Sequence, residues 1–510
     1  MKFIKGQDRT QTHLFPVSLD VSIDDGHEVR LIDLFVDSLN LEDYGFKSDF
    51  IENGRPAYHP CYLLKLFLYG YLNKVRSSRD LEKECKRNIE VMWLMQSLAP
   101  DHNTIANFRK NNRRGIRKVF RATVKLAKSF DLIGGKLVAG DSTKLRAQNS
   151  KKNNFNAKKI ERHLEYIDNK LSEYNKVLST ADGDTEEIKK KVQTQLERKA
   201  KYEAITQQIK DTCEVQVSTS DPDSRQMIIR NNITEVAYCI QTTVDAKHNI
   251  PIDFKVTNQN DSKAMGSMVR RAKTILKSKD FTALYDKGYH TGSQFEYADT
   301  HQVEVMVAIP NVASHAPDHS YDLEHFSFDK VNDCYTCPQG QLLKTNGNQY
   351  NKGKGASIQK VRHYKTKACK TCPVYDKCTK SKNNGRVIER SEYTEIIEQN
   401  KIRVEANRDV YRKRQAIVEH PYGVIKRQWG FYYIMTKKGM NRASADVGLI
   451  FTAYNLRRIF NLIDKNALKE ILKELGFIFS ALLSSIKSVC PAFFSLRLNL
   501  LFAKTRINPA

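Results

Sequence analysis

The sequence contains no uninterrupted run of about 18 apolar residues, which is the length that a membrane-spanning helix requires. Residues 1–8 (MKFIKGQD) also lack the apolar core of a secretory signal. The most apolar stretch, residues 476–486, is followed closely by Lys487 and Pro491, which favours a buried helix or a partner-binding surface. We therefore expect a cytoplasmic protein with no membrane partner.

Acidic residues are few relative to basic ones. The 510 residues include 84 Lys and Arg against 58 Asp and Glu, for a formal net charge of +26 and a pI near 9.5. With 40% hydrophobic residues the chain should fold, and its length suggests about two to four domains. These cations either form a basic surface that faces solvent or bind a polyanion. Nucleic acid is the first candidate for such a polyanion.

A helical region occupies residues 1–130. Apolar residues recur at helical spacing from about residue 55 onward, and Asp101 is a good N-cap for a further helix. Basic residues then recur every three or four positions, among them Arg114, Arg117 and Arg121. This stripe is either a solvated helix face or a surface that contacts DNA.

Two short apolar strands each lead to an aspartate. Residues 136–140 precede Asp141, and residues 281–285 precede Asp286, which is followed by Lys and Gly. Taken alone, each aspartate is most simply a turn residue.

The order of the elements around these strands is informative. Residues 236–244 and 250–256 read as a β-hairpin, followed by a helix, the strand before Asp286, a helix and a strand at 303–309. Together with the strand before Asp141, this is the element order of an α/β ribonuclease H-like core, built from residues 131–150 and 212–310. Residues 151–211 interrupt it with two amphipathic repeats, which predict an inserted helical hairpin of structural or oligomeric role.

Cysteines cluster in residues 311–400. Cys334 and Cys337 form one Cys-x2-Cys pair, Cys369 and Cys372 form a second, and Cys378 follows. Two such pairs suit a tetrahedral structural zinc site in a small zinc-ribbon-like insertion, although five reduced surface thiols would give the same sequence. Which four cysteines would bind is open.

A charged helical region covers residues 401–465, before a helical tail at 466–510. Glu419 stands there among many cations, with Lys426 seven residues later. Pro421 predicts that the helix kinks or restarts at His420. A surface salt bridge is the simplest role for Glu419.

Three carboxylates can nevertheless form one site. In a ribonuclease H-like sheet the first and fourth strands are neighbours, so Asp141 and Asp286 should meet at one edge. With Glu419 they would offer oxygen ligands to Mg²⁺ or Mn²⁺. Two such ions can promote in-line phosphodiester displacement.

At these positions the sequence resembles the DDE transposases of bacterial insertion sequences. The similarity lies in Gly140–Thr143, in Asp286–Tyr289, and in a segment similar to the family's Tyr-Arg-Glu-Lys signature. That segment supplies Tyr411, Arg414, Glu419 and Lys426, with four residues between Arg414 and Glu419 where the common form has three. The helical region before residue 130 and the cysteine-rich insertion also resemble parts of this family.

The resemblance implies cleavage and strand transfer of a DNA element with terminal inverted repeats. It implies that Asp141, Asp286 and Glu419 are catalytic metal ligands, that Tyr411, Arg414 and Lys426 contact DNA, and that the amino-terminal helices help to bind the element ends. A homodimer on DNA is expected because two ends must be joined to target DNA. A plain ribonuclease H-like nuclease or resolvase, and a catalytically inactive DNA-binding derivative, are the alternatives.

Overall fold

The computed structural model describes residues 18–47, 56–180, 185–212, 214–230, 233–310, 316–353 and 358–485. Of residue 230 and residues 476–485 it describes the backbone alone. The connection between the two predicted helices of the hairpin, residues 181–184, lies outside the described residues, as do residues 1–8 and the tail after Ser485.

Helices make up much of this part of the chain. They are α1 (Glu28–Asp37), α2 (Pro60–Leu72), α3 (Ser78–Arg87), α4 (Ile89–Leu94), α5 (His102–Asn111), α6 (Arg113–Ser129), α7 (Ala157–Thr180), α8 (Glu186–Asp211), α9 (Met265–Leu276), α10 (Gly292–Thr300), α11 (Tyr375–Cys378), α12 (Thr394–Ala406), α13 (Arg408–Tyr422), α14 (Met440–Leu462) and α15 (Lys465–Ser485).

The strands fall into three sheets. They are β1 (Leu137–Arg146), β2 (Asn154–Asn156), β3 (Gln216–Ser218), β4 (Arg225–Arg230), β5 (Ile233–Asp245), β6 (Ile250–Thr257), β7 (Thr282–Tyr285), β8 (Glu304–Val307), β9 (Ser327–Asp329), β10 (Cys334–Thr336), β11 (Leu342–Thr345), β12 (Tyr350–Lys352), β13 (Gln359–Lys365) and β14 (Ile388–Ser391).

The amino-terminal region is helical, as the sequence predicts, but two of its helices are broken by asparagines. Asn88 ends α3 and caps α4, its side chain accepting from the backbone N–H of Glu90 and Val91. Asn112 separates α5 from α6, and the predicted basic residues Arg114, Arg117 and Arg121 all lie on α6. Asparagine competes with helical hydrogen bonds through its own side chain, which is why it interrupts these runs.

The chain divides into two compact units. Unit one comprises Met1–Gly134, Ser142–Gln259 and Ile417–Ala510, and unit two comprises Gly135–Asp141 and Asn260–Ala416. Both β1 and α13 therefore contribute residues to each unit.

Unit one contains the antiparallel part of the main sheet. The long strand β5 pairs with β4 along its first half and with β6 along its second half, and β1 is its other neighbour. α14 packs on β6 and on the amino-terminal helices α2, α5 and α6, and every residue from Ala443 to Leu456 is buried. The helices before residue 130 thus share one core with a helix from the other end of the chain.

Unit two contains the parallel part of that sheet. β1 pairs with β7 through Val138 and Ala283, and β7 pairs with β8 along its whole length. α12 covers this part, and the buried Asn400 donates to the carbonyl of Val307 and accepts from its N–H at 2.9 Å each. The molecule is therefore a mixed α/β protein with a helical amino-terminal region, as expected.

The cysteine-rich region of unit two is a small antiparallel sheet with the order β12-β13-β11-β10-β9 and β14 beside β13. Its core contains Phe326, Tyr335, Leu343, Tyr364 and Ile388. The sequence did not predict these strands, because segments of three to seven residues are too short to show a clear period.

α7 and α8 pack together where the sequence predicts a helical hairpin, around Phe155, Ile160 and Ile205. The carboxyl-terminal α15 packs on α1. No helix within the described ranges is both long enough and apolar enough to cross a membrane.

A buried ionic network joins the helices of unit one. The carboxylate of Asp446, fully buried on α14, accepts from Arg76 Nη2 at 2.7 Å, from the backbone N–H of Met435 at 2.9 Å, and from the Tyr71 hydroxyl. Arg109 lies 3.7 Å away and donates to Tyr71. Burial works to raise the pKa of Asp446, but the two guanidinium charges outweigh it and hold the pKa below its usual range.

We expect Asp446→Asn to lower the free energy of unfolding by about 3–5 kcal/mol, because Arg76 would keep a buried charge without its counter-ion. Urea denaturation followed by circular dichroism measures the loss. Asp131→Asn is the control: this exposed carboxylate pairs with Lys247 at the surface, so the change should cost less than about 1 kcal/mol. Equal losses in the two variants would contradict the structural role given to the network.

Candidate active site

Asp141 lies inside β1, not at its end. The strand continues to Arg146, which corrects the prediction that Asp141 closes it. The continuation is stabilised by pairing beyond the aspartate: β1 neighbours β5, and the N–H of Arg146 donates to the carbonyl of Tyr432. The Asp141 side chain is 23% exposed, so its carboxylate can meet a ligand.

Asp286 follows β7 directly, as predicted. Its Oδ1 accepts from the backbone N–H of Gly288 at 2.9 Å and caps a single 3-10 turn, Lys287–Tyr289. The turn fixes one carboxylate oxygen of Asp286 at the carboxyl end of its strand.

The strand register places Asp141 and Asp286 at corresponding positions along their neighbouring strands. β1 and β7 are parallel, with Ala139 opposite Leu284, so Asp141 is opposite Asp286 two residues further along. Neighbouring strands are about 4.8 Å apart. The two carboxylates therefore belong to adjacent positions on one edge of unit two.

Gly140 allows β1 to lie against the side chain of Tyr285 on the neighbouring strand. A Cβ at this position would overlap the ring of Tyr285, which is buried against Tyr289 with ring centroids 4.8 Å apart. The glycine is thus required by the neighbouring strand, a constraint that its sequence context alone does not reveal.

Another carboxylate borders the Asp286 turn. A Cβ added at Gly288 would lie 3.1 Å from Asp286 Oδ1 and 3.8 Å from Asp261 Oδ2. Asp261 is not among the residues predicted from the sequence; its signal there is the polar segment NQNDS between a strand and a helix.

The first turns of α13 reach both strands. The Tyr411 hydroxyl donates to the carbonyl of Tyr285 at 2.8 Å, and Arg414 Nη1 lies 3.6 Å from Asp141 Oδ2. Burial raises the pKa of Tyr411, Arg414 opposes that rise, and the Asp286 carboxylate adds to it. The structure therefore brings together in unit two four of the residues predicted from the sequence: Asp141, Asp286, Tyr411 and Arg414.

Glu419 is exposed on the later part of α13, in unit one. The helix does not restart at His420, which was one of the two predicted outcomes: α13 runs through Pro421 to Tyr422 and passes directly into a π-helical segment, Gly423–Gln428, which contains Lys426. Proline removes a hydrogen-bond donor and crowds the preceding turn, and the wider π-helix accommodates such a disturbance.

Arg117 and Arg121 do not form a free basic stripe. Their guanidinium groups lie 3.3 and 2.9 Å from Oδ1 of the buried Asp253 in β6, and Arg117 also donates to the carbonyl of Phe254. Only Arg114 of the three selected arginines is exposed. The helical period was right, but the carboxylate that turns two of these side chains inward comes from a strand more than 130 residues away.

Four of the five selected cysteines line one cavity of about 30 Å³: Cys337, Cys369, Cys372 and Cys378. Burial raises the pKa of Cys378, Arg386 opposes this, and the other three thiols add to the rise. The fifth, Cys334, is buried in β10 and does not line the cavity.

Among the described residues, no group of three or more His, Cys, Asp or Glu side chains stands in position to hold a metal ion. The cysteine cavity and the aspartate pair are candidate metal sites by the chemistry of their side chains alone.

We expect Gly140→Ala to lower the free energy of unfolding by about 1–3 kcal/mol or more, because the new methyl group must displace the buried ring of Tyr285. Urea denaturation measures the change. Gly26→Ala is the matched control, since a Cβ at Gly26 meets nothing within 4 Å. An unchanged stability for Gly140→Ala would show that the two strands are further apart than described.

Comparison with known proteins identifies two domains. Residues 17–111 match the family described as a transposase domain (DUF772), and residues 336–460 match a transposase DDE domain. No curated protein matches the chain. A solved structure, the piggyBac transposase synaptic complex with hairpin DNA, aligns over 96% of this chain and 87% of that chain, but at 9% identity and a TM-score of 0.28 it supports no argument. The DDE match contains Tyr411, Arg414, Glu419 and Lys426, so the chain has one region similar to a transposase domain and a second similar to a transposase DDE domain.

Proposed function

We propose that this transposase cuts DNA at the ends of an insertion sequence and joins the ends to target DNA, using Asp141, Asp286 and Glu419 as its catalytic carboxylates. The observation that carries the proposal is the parallel register of β1 and β7, which makes Asp141 and Asp286 neighbours. Glu419 is included because it falls within the matched DDE domain, in the signature segment.

The fold assignment is part of the proposal. β6 and β5 are antiparallel, β5 neighbours β1, and β1 is parallel to β7, which is parallel to β8. This pairing, with helices between the parallel strands, supports a ribonuclease H-like core, in which first and fourth strands are adjacent.

Carboxylate oxygens in a half-exposed setting are the donors that Mg²⁺ and Mn²⁺ prefer, so the residues present fit such an ion. Asp141 and Asp286 would hold it, and Glu419 is the third candidate ligand because it lies in the matched DDE domain. When bound, it would supply an activated oxygen nucleophile and stabilise the leaving oxygen of the phosphodiester. Fixing Asp286 through Gly288 reduces the motion of one ligand before the ion arrives.

Lys426 of the signature, together with basic residues elsewhere in the chain, would contact the nucleic acid. Lys426 and the exposed Arg114 can neutralise backbone phosphates, and the net charge of +26 supports a polyanionic partner. A homodimer would bring two ends together in the cytoplasm, where the element's DNA resides. The match of residues 17–111 to a transposase domain supports a role for the amino-terminal helices in end binding.

We expect Asp286→Asn and Glu419→Gln each to abolish Mg²⁺-dependent cleavage while DNA binding stays within about twofold, because neither change removes a cation that contacts phosphate. The substrate is DNA carrying the sequences that flank the coding region. Cleavage and joined products are resolved on denaturing gels, and binding is measured by mobility shift.

Asp409→Asn is the control for this pair, since Asp409 is on α13 with a side chain 94% exposed. Full cleavage by either active-site variant would overturn the assignment. Hydrolysed ends without joined product from the wild-type protein would favour a nuclease or resolvase, and no cleavage at all with intact binding would favour an inactive DNA-binding derivative.

The cysteine cavity supports a structural zinc site made by Cys337, Cys369, Cys372 and Cys378. The cavity is about the size of a single small ion or water. Gly385 lies close to one of the lining cysteines: a Cβ added at this glycine would lie 2.6 Å from Cys369 Cβ and 3.3 Å from its Sγ. The backbone at Gly385, with φ +68°, is thus drawn close to one thiol, as in compact thiolate sites.

We expect the purified protein to contain about one zinc per chain. Cys369→Ala and Cys378→Ala should each lose it, because three thiolates hold zinc less tightly than four. Inductively coupled plasma mass spectrometry measures the content. Cys334→Ala should retain the metal, since Cys334 lies outside the cavity. Loss of zinc from Cys334→Ala alone would show that a different set of four cysteines binds.

A further inference from the structure

Two residues of the signature make contacts that differ from those expected of DNA-binding side chains. Tyr411 uses its hydroxyl hydrogen to bind the carbonyl of Tyr285, the residue immediately before Asp286. Arg414 lies beside Asp141. Tyr411 therefore contacts the strand that leads to Asp286, and Arg414 lies beside the strand that contains Asp141.

Arg414 and Asp141 form an ion pair in a partly buried setting. Its side chain is 18% exposed, against 23% for Asp141, and the 3.6 Å separation is longer than a hydrogen bond. Arg414 Nη1 is buried, and no hydrogen-bond partner for it lies among the residues that the structure describes. The Asp141 carboxylate supplies the charge opposite to that of the guanidinium.

The same carboxylate is a ligand in the proposed metal site. Two neighbouring carboxylates repel each other, and a cation between strand and helix relieves that repulsion. A divalent ion would relieve it more strongly, so the guanidinium and the ion compete for the charge of Asp141.

We propose that Arg414 and Tyr411 are positioning residues for the two aspartates, with Arg414 serving as the counter-charge of Asp141 until a divalent cation binds, and Tyr411 holding the end of β7 from which Asp286 extends. The inference rests on the proposed function, because it requires Asp141 to be a metal ligand. It assigns these residues a role in the free protein, before any DNA is present.

The proposal predicts opposite changes in divalent-ion affinity when Arg414 and Tyr411 are substituted. Removing the charge of Arg414 removes a competitor, so a divalent ion should bind more tightly. Removing the hydroxyl of Tyr411 frees the end of β7, so the ion should bind more weakly. A residue that only contacts phosphate would change neither affinity when DNA is absent.

The experiment is a Mn²⁺ titration of the full-length protein without DNA, with free Mn²⁺ followed by electron paramagnetic resonance. We expect the dissociation constant of Arg414→Gln to fall about fivefold, the size of a partly screened ion pair. Arg414→Lys should remain near wild type because it keeps the charge. Tyr411→Phe should bind about tenfold more weakly, as for other residues that support a metal ligand.

Arg412→Gln is the matched control, since Arg412 lies on the same helix with its side chain 79% exposed and should leave Mn²⁺ binding unchanged. Circular dichroism shows whether each variant is folded. If Arg414→Gln and Tyr411→Phe both titrate like wild type while Asp141→Asn binds more weakly, the positioning role is overturned and the proposed metal site stands. If Asp141→Asn also titrates like wild type, the metal role of Asp141 fails, and the inference fails with it.

Discussion

The parallel pairing of β1 with β7 is the contact on which the candidate active site depends. It sets Asp141 opposite Asp286, and it is possible at this distance because Gly140 leaves room for the ring of Tyr285. Backbone pairing between the strands then sets the positions of the two aspartates, and the Gly288 N–H fixes one carboxylate oxygen of Asp286. A metal site needs ligands held in this way on rigid elements.

Ion pairs between arginines and buried or half-buried carboxylates recur in this molecule. Asp446 is held by Arg76 and Arg109, Asp253 by Arg117 and Arg121, and Asp141 faces Arg414. Several cations of this basic chain therefore stabilise the fold or the site and do not face a polyanion. The Asp446 and Asp253 side chains are fully buried, so losing their partners is costly. The Asp141 side chain is 23% exposed, which suits a contact that another cation can replace.

The cysteine-rich region shows how short-range sequence and long-range folding combine. Each Cys-x2-Cys pair is a local feature, yet the cavity takes both cysteines of the second pair, one of the first and the fifth cysteine, Cys378. Cys334 is excluded because it lies in β10, where its side chain is buried in the small sheet. Spacing could define the module but could not select among its thiols.

The sequence by itself determined the mixed α/β class, the helical amino-terminal region, the order of strands and helices around Asp286, and the residues of the signature. These features follow from apolar periodicity, turn residues and short motifs, which act over a few residues. Tertiary structure alone decided that β1 extends past Asp141, that α13 continues through Pro421 into a π-helix, and that Arg117 and Arg121 point at Asp253. It also decided that Arg414 faces Asp141. Each of these depends on groups far apart in the chain, whose charge and packing no local pattern records.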